Sequence, residues 1–94
     1  MSFALVLDAL SLIFSEFITP TQYIELVQLL RKCHEKGVGV SVDGSAELKN
    51  RGFPVDYRYY DHLGRLRFGC QGFQAEPNER LNRVMDALRE ACAS

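Results

Sequence analysis

Two alternating runs on either side of a glycine, in DYRYYDHLGRLRFGC (residues 56–70), constrain the fold of this chain more than any other feature. Apolar and polar residues alternate before and after a four-residue connection, Asp61–Gly64, which is the pattern of a β-hairpin. The register that this loop predicts places Arg58 opposite Arg67. It collects an apolar face that consists of Val55, Tyr57, Tyr59, Leu66, Phe68 and Cys70. A slip by one residue would place arginines among these side chains, so the register has an internal check.

The opposite face of this hairpin is the candidate partner-binding surface. It is predicted to consist of Arg58, Tyr60, Arg65 and Arg67, with His62 at the tip. Arginine and tyrosine often anchor protein interfaces, and a flat face suits a protein better than a small molecule. One alternative is an exposed sheet face on which arginines lie over neighbouring tyrosine rings. Another is a surface for single-stranded nucleic acid, which the net charge of -1 disfavours.

The rest of the chain alternates between helical and strand patterns. A strongly apolar first helix is predicted over about residues 3–17. A second helix begins at Thr19, where Thr19 and Gln22 form a capping box around Pro20. Gly37 ends this helix, a strand follows over residues 38–43, and a last helix begins near Pro77. We therefore predict one α+β domain over residues 1–94, in the order ααβββα. Its three strands are expected to form an antiparallel sheet with the helices packed on one face.

The first helix is apolar around most of its circumference. Its polar residues Asp8, Ser11 and Ser15 form one narrow stripe, whereas a surface helix usually buries only one arc. The helix is therefore either enclosed within the domain or in contact with another chain. We expect a homodimer with this helix in its interface, through Phe3, Val6, Leu10, Ile13, Phe14 and Phe17.

The second helix is expected to bury Tyr23, Val27, Leu30 and Cys33, with Ile24 and Leu26 alongside.

No residue pattern indicates catalysis. Cys33 and His34 are adjacent on a helix, so their side chains point about 100° apart and cannot act as nucleophile and base. His62 lies beside Asp61 at an exposed tip, which offers no water-excluding pocket. The three cysteines show no zinc-type or Cys-x-x-Cys spacing and are expected to be free thiols. The sequence predicts a protein that is not an enzyme and that needs neither cofactor nor metal.

The apolar N-terminal segment does not resemble a targeting or membrane-spanning sequence. It has no basic residue before Arg31, and its predicted helix would be roughly 22 Å long, shorter than a bilayer core of about 30 Å. We expect a soluble, cytoplasmic protein without a membrane partner. The function predicted from these features is a small protein-binding module, such as an adaptor, chaperone or inhibitor of a larger protein. The alternative is a nucleic-acid-binding accessory protein that uses the basic hairpin face.

Overall fold

Within the residues that the structure describes, helices and strands follow one another in the predicted order ααβββα. The computed structural model describes residues 3–15, 18–42, 55–70 and 77–93. Within these ranges the helices are α1 (Phe3–Ile13), α2 (Pro20–Glu35) and α3 (Pro77–Ala93). The strands are β1 (Val40–Val42), β2 (Val55–Tyr60) and β3 (Leu66–Cys70). The predicted α+β fold is confirmed.

The sheet is mixed, so the prediction of a purely antiparallel sheet is wrong. Its strand order is β1-β3-β2, with β3 antiparallel to β2 and parallel to β1. The chain leaves β1, forms β2 at the far edge and returns through β3, which fills the space between them. Alternation in the sequence identifies the two faces of a strand but is the same in both strand directions. The direction of β1 could therefore not be inferred from its alternating valines.

The second helix begins and ends as its sequence predicts. The Thr19 side chain accepts a hydrogen bond from the Gln22 amide at 3.1 Å, and the Gln22 side chain accepts one from the Thr19 amide at 2.9 Å. This reciprocal pair is a capping box, and it supplies partners for two amides at the helix start. Gly37 follows the helix with a φ of 75°, a conformation that favours glycine.

The buried stripe of α2 differs from the predicted one. Leu26, Leu30 and Cys33 are buried, whereas Tyr23 and Ile24 are exposed. Ile24 precedes Leu26 by two residues and so lies about 200° around the helix, on the side away from the core. The prediction that Tyr23 and Ile24 face inward is therefore wrong. Both apolar sides of α2 fit the helical period, so the period alone could not identify the buried one.

The core joins side chains from α1, α2 and α3 with those of β1 and β3. From the sheet it receives Val40, Val42, Leu66 and Phe68. The helical segments supply Val6, Leu10, Phe14, Leu26, Leu30, Cys33, Leu81, Val84, Met85, Ala87, Leu88, Ala91 and Cys92. α3 packs against α2 and β2, while α1 packs against α2 and β1. The helices therefore cover the sheet face on which Leu66 and Phe68 lie.

The hairpin is confirmed, but its predicted register is wrong by one residue beside the turn. Tyr60 pairs with Leu66 and Arg58 pairs with Phe68, so the loop has five residues rather than four. A bulge between Val55 and Tyr57 absorbs the offset, and Val55 still pairs with Cys70 as predicted. Because side chains alternate along a strand, this shift moves residues 58–60 to the opposite faces from those predicted.

Candidate partner-binding surfaces

The tip of the hairpin is organised by the carboxylate of Asp61. Its Oδ1 atom accepts hydrogen bonds from the Leu63 amide at 2.9 Å and from the Arg65 amide at 3.0 Å. Its Oδ2 atom accepts one from Arg65 Nε at 2.7 Å. Gly64 has a φ of 75°, which lets the chain turn back towards β3. These bonds draw Arg65 into the loop and set the five-residue length that determines the register.

The same hydrogen bonds alter the acidity of Asp61. Burial of the carboxyl would by itself raise its pKa. The hydrogen bonds from the amide and side chain of Arg65, the amide of Leu63 and the charge of Arg65 together outweigh that effect and lower the pKa below its usual 3.8. Hydrogen bonds to a carboxylate favour its charged form. The turn is therefore held most firmly when Asp61 is ionised.

This lowered pKa predicts a pH-dependent contribution to stability. A carboxyl with a depressed folded pKa stabilises the fold above its unfolded pKa and loses that effect as the pH falls through the folded value. We expect the wild type to melt at a higher temperature than Asp61→Asn well above pH 3.8, and the difference to shrink below it. Thermal melts of both proteins across an acidic pH series measure this difference. A difference that is independent of pH would contradict the role assigned to the Asp61 charge.

Arg67 lies in a row of polar and aromatic side chains that crosses the sheet face opposite the helices. Ser41, Arg67 and Tyr59 are register partners on three adjacent strands. Arg67 Nε donates a hydrogen bond to the hydroxyl of Ser41 at 3.1 Å, and its guanidinium carbon lies 5.8 Å from the centre of the Tyr59 ring. Ser41 is buried and Arg67 is half-buried. This Ser41–Arg67–Tyr59 row is thus a set of contacts within the domain as well as part of its surface.

Arg58 and Tyr60 lie on the other side of the hairpin, the side that the helices cover. Arg58 forms an ion pair with Glu90 of α3, and Tyr60 remains 54% exposed at the end of β2. The predicted single face with Arg58, Tyr60, Arg65 and Arg67 is therefore not formed, because the register shift separates its members. The predicted like-charge pair between Arg58 and Arg67 is also absent, since Arg58 faces Phe68.

Arg65 and His62 are at the turn. The aliphatic part of Arg65 lies against Gly39, where a Cβ atom would come within 2.7 Å of Arg65 Cγ. His62 and Leu63 are exposed at the tip, beside Tyr60. The structure thus places Tyr60, His62 and Leu63 around a tip held by Asp61 and Arg65. Binding of a partner protein at this tip stays a prediction.

Half of the predicted dimer interface on α1 belongs to the core. Val6, Leu10 and Phe14 are at most 2% exposed, so they cannot be offered to another chain without opening the domain. Phe3 is half-buried and packs against this core. The side chains of Ile13 and Phe17 lie outside the described residues. The assignment of Val6, Leu10 and Phe14 to an interface is corrected by their burial.

Among the described side chains of α1, the large apolar residues that are exposed are Leu5 and Leu12, neither of which belongs to the interface predicted from the sequence. They are 57% and 51% exposed, and they flank the exposed Asp8 at spacings of three and four residues. Seven residues correspond to about two helical turns, so both leucines lie on one side, roughly 10.5 Å apart along the axis. Their position beside Asp8 in the polar stripe was the signal available in the sequence. We call Leu5, Asp8 and Leu12 the leucine face of α1.

The third member of the predicted polar stripe is not fully exposed. Ser11 is half-buried, and its hydroxyl oxygen is enclosed without a hydrogen-bond partner among the residues that the structure describes. A buried hydroxyl without a partner destabilises a fold. The exposed side of α1 is thus not centred on the predicted polar stripe but lies closer to Leu5 and Leu12.

The described part of the chain contains a small cleft where α1, α2 and β1 meet. Its volume is about 60 Å³, and its lining includes Phe3, Leu30, His34 and Val38. Ligand pockets usually measure roughly 300–1,000 Å³, so this cleft matches a solvent molecule better than a substrate. The buried side chain of Cys33 contacts Cys92, whereas the side chain of His34 is exposed. No group of three or more potential metal ligands occurs within residues 3–15, 18–42, 55–70 and 77–93.

Comparison with known proteins gives no match, since no family model, curated protein or solved structure is significantly similar to this chain. None of the helices in the described ranges has the length and apolar character required to cross a bilayer.

Proposed function

We propose that this protein is a cytoplasmic, non-catalytic protein-binding module of the adaptor or inhibitor type, which forms a homodimer through the leucine face of α1. The observation that carries this proposal is the exposure of Leu5 and Leu12, at 57% and 51%, on a helix whose other side supplies Val6 and Leu10 to the core. A short helix in a monomer normally buries its leucines and exposes polar residues. Two exposed leucines on one side therefore favour a contact with another chain.

A two-fold dimer uses such a face economically. In a symmetric interface the same patch of both copies meets, so two leucines per chain bring four into contact. Full burial of a leucine contributes roughly 1.5–3 kcal/mol, and about half of each side chain remains to be buried. This gain is modest for an association, so we expect a reversible dimer rather than an obligate one.

The hairpin tip supplies a second surface for a different protein. Tyr60, His62 and Leu63 project from a turn that Asp61 holds with three hydrogen bonds. A preorganised tip loses little conformational freedom on binding, and an exposed tyrosine beside a leucine suits a protein pocket. One surface for self-association and a separate one for a partner would let each copy in a dimer bind its partner independently, which suits an adaptor or an inhibitor.

The nucleic-acid alternative has less support. Arg58 pairs with Glu90 and Arg65 pairs with Asp61, so two of its three arginines already face a carboxylate. Arg67 contacts Ser41 and Tyr59 within the sheet. Binding to phosphates would have to compete with these contacts, and the net charge of -1 gives little attraction at long range.

The experiment that tests the dimer is the double substitution Leu5→Asp with Leu12→Asp. Both side chains are more than half exposed, so the domain should keep its circular dichroism spectrum. A carboxylate buried against another copy is strongly unfavourable, so we expect the dimer dissociation constant to rise at least 100-fold. Analytical ultracentrifugation measures this change.

Ile24→Asp is the matched control, because Ile24 is equally exposed but lies on α2. It places one carboxylate at an exposed apolar position outside the leucine face and should leave the dimer intact. A folded double variant that dimerises like the wild type would overturn the assignment of the leucine face.

A further inference from the structure

The C-terminal turns of α2 and α3 bring two thiols together that are far apart in sequence. The sulfur atoms of Cys33 and Cys92 are 2.8 Å apart, and both residues are buried in the core. Cys92 Sγ also lies 3.5 Å from the carbonyl oxygen of Leu29, and Cys33 Sγ lies 3.9 Å from that of Leu88. The pair therefore sits directly across the packed interface between the two helices.

We propose that Cys33 and Cys92 are a redox modification site, at which an intramolecular disulfide forms and is reduced reversibly. A disulfide bond is about 2.05 Å long, so the two sulfur atoms need to approach by only about 0.8 Å. Such a small movement is within reach of a χ1 adjustment on two adjoining helices. Both residues are free thiols in the structure, which represents the reduced form.

The oxidant is a low-molecular-weight disulfide of the glutathione type. The Cys92 thiolate attacks one sulfur of this disulfide, forms a mixed disulfide and releases one thiolate. The Cys33 thiolate then attacks the Cys92 sulfur and displaces the second thiolate. The two cysteines together lose two protons and two electrons, and the oxidant is reduced to two thiols. Excess small thiol reverses both steps.

Cys92 is the first nucleophile in this sequence because of its position. It lies in the last turn of α3, one residue before the helix ends at Ala93, where helices open most readily. Cys33 lies deeper, and burial raises its pKa to about 12, with further contributions from the hydrogen bond and charge of Cys92; the charge of Lys36 opposes them. The Lys36 ammonium group also donates a hydrogen bond to the Cys92 carbonyl oxygen. Cys33 is thus suited to the second step, after Cys92 has reacted.

The disulfide would fasten α3 to α2 and close a loop that contains the whole sheet. Residues 33–92 make a loop of 60 residues. Closing a loop of this size restricts the unfolded chain and raises the melting temperature, by roughly 10 °C or more in a domain of this length. The native geometry already brings the sulfurs together, so little of this gain should be lost to distortion.

The test equilibrates the full-length wild-type protein in glutathione redox buffers that range from reducing to oxidising. We expect a mass decrease of about 2 Da, a Cys33–Cys92 cross-linked peptide in a non-reducing digest and the rise in melting temperature. Addition of excess reduced glutathione should restore the original mass and melting temperature. Cys70→Ser should behave like the wild type, whereas Cys33→Ser should show no intramolecular disulfide and no rise in melting temperature.

Three results would overturn the proposal. One is retention of both thiols in the most oxidising buffer, and another is a stable glutathione adduct on Cys92 that does not proceed to the disulfide. The third is disulfide formation that occurs only when the redox buffer also contains enough urea to unfold the domain. Since the wild type carries the measurement, these outcomes do not depend on whether a cysteine variant folds.

Discussion

Replacement of Phe14 by alanine is expected to lower the free energy of unfolding by about 3–5 kcal/mol. Phe14 is 1% exposed and lies just after α1, where its amide donates a hydrogen bond to the Leu10 carbonyl oxygen at 3.0 Å. Its ring fills space in the core. The alanine side chain is too small to fill that space, so a cavity remains. Urea denaturation measures the loss through the shift in its midpoint.

Ile24→Ala is the control for this substitution. It also removes a large apolar side chain from a helical segment, but Ile24 is 57% exposed, so we expect a change below about 0.5 kcal/mol. Equal losses for the two variants would contradict the burial assigned to Phe14. A Phe14→Ala protein with wild-type stability and an altered solution mass would return Phe14 to the interface that the sequence predicted for it.

Replacement of Arg67 by methionine is expected to cost about 2–3 kcal/mol. It removes a charge-assisted hydrogen bond to the buried hydroxyl of Ser41, which contributes roughly 1.5–3 kcal/mol, and the contact with the Tyr59 ring. Methionine keeps most of the aliphatic length of the side chain. The loss therefore reports the guanidinium contacts, and chemical denaturation measures it.

Arg58→Met is the matched control on the neighbouring strand. Arg58 forms its ion pair with Glu90 at the surface, where such pairs contribute about 0–1 kcal/mol. The register predicted from the sequence makes Arg58 and Arg67 equivalent and exposed, whereas the observed register makes them unequal. Similar, small losses for the two variants would contradict the observed register.

The features that the sequence predicted correctly depend on residues close together in the chain. The capping box of α2 needs only Thr19 and Gln22, and the end of the helix needs only Gly37. Such interactions span three or four residues and can be recognised without knowledge of the tertiary structure. The order of helices and strands followed from the same kind of local pattern.

The predicted hairpin register was wrong because the side chain of one residue in the turn makes the loop one residue longer than predicted. Asp61 accepts a hydrogen bond from the Arg65 amide and draws this residue into the turn. The loop therefore has five residues rather than the predicted four. Both lengths fit the alternating pattern nearby, but each places Arg58 and Tyr60 on a different face. The candidate arginine face therefore depended on a hydrogen bond that alternation does not reveal.

The orientation of α1 could not be derived from its period, since nearly every arc of the helix is apolar. Contacts with α2 and β1 select the arc with Val6 and Leu10 for the core. Leu5 and Leu12 are left on the outside by this choice, although they are as hydrophobic as the buried residues. The pairing of Cys33 with Cys92 was likewise invisible in the sequence, because it depends on how α2 packs against α3.

Light scattering of the wild-type protein over a tenfold concentration range tests the central claim most directly. One chain has a mass of 10.7 kDa, so the leucine face predicts a mass that rises with concentration towards twice this value. A mass of 10.7 kDa at every concentration would contradict self-association through α1.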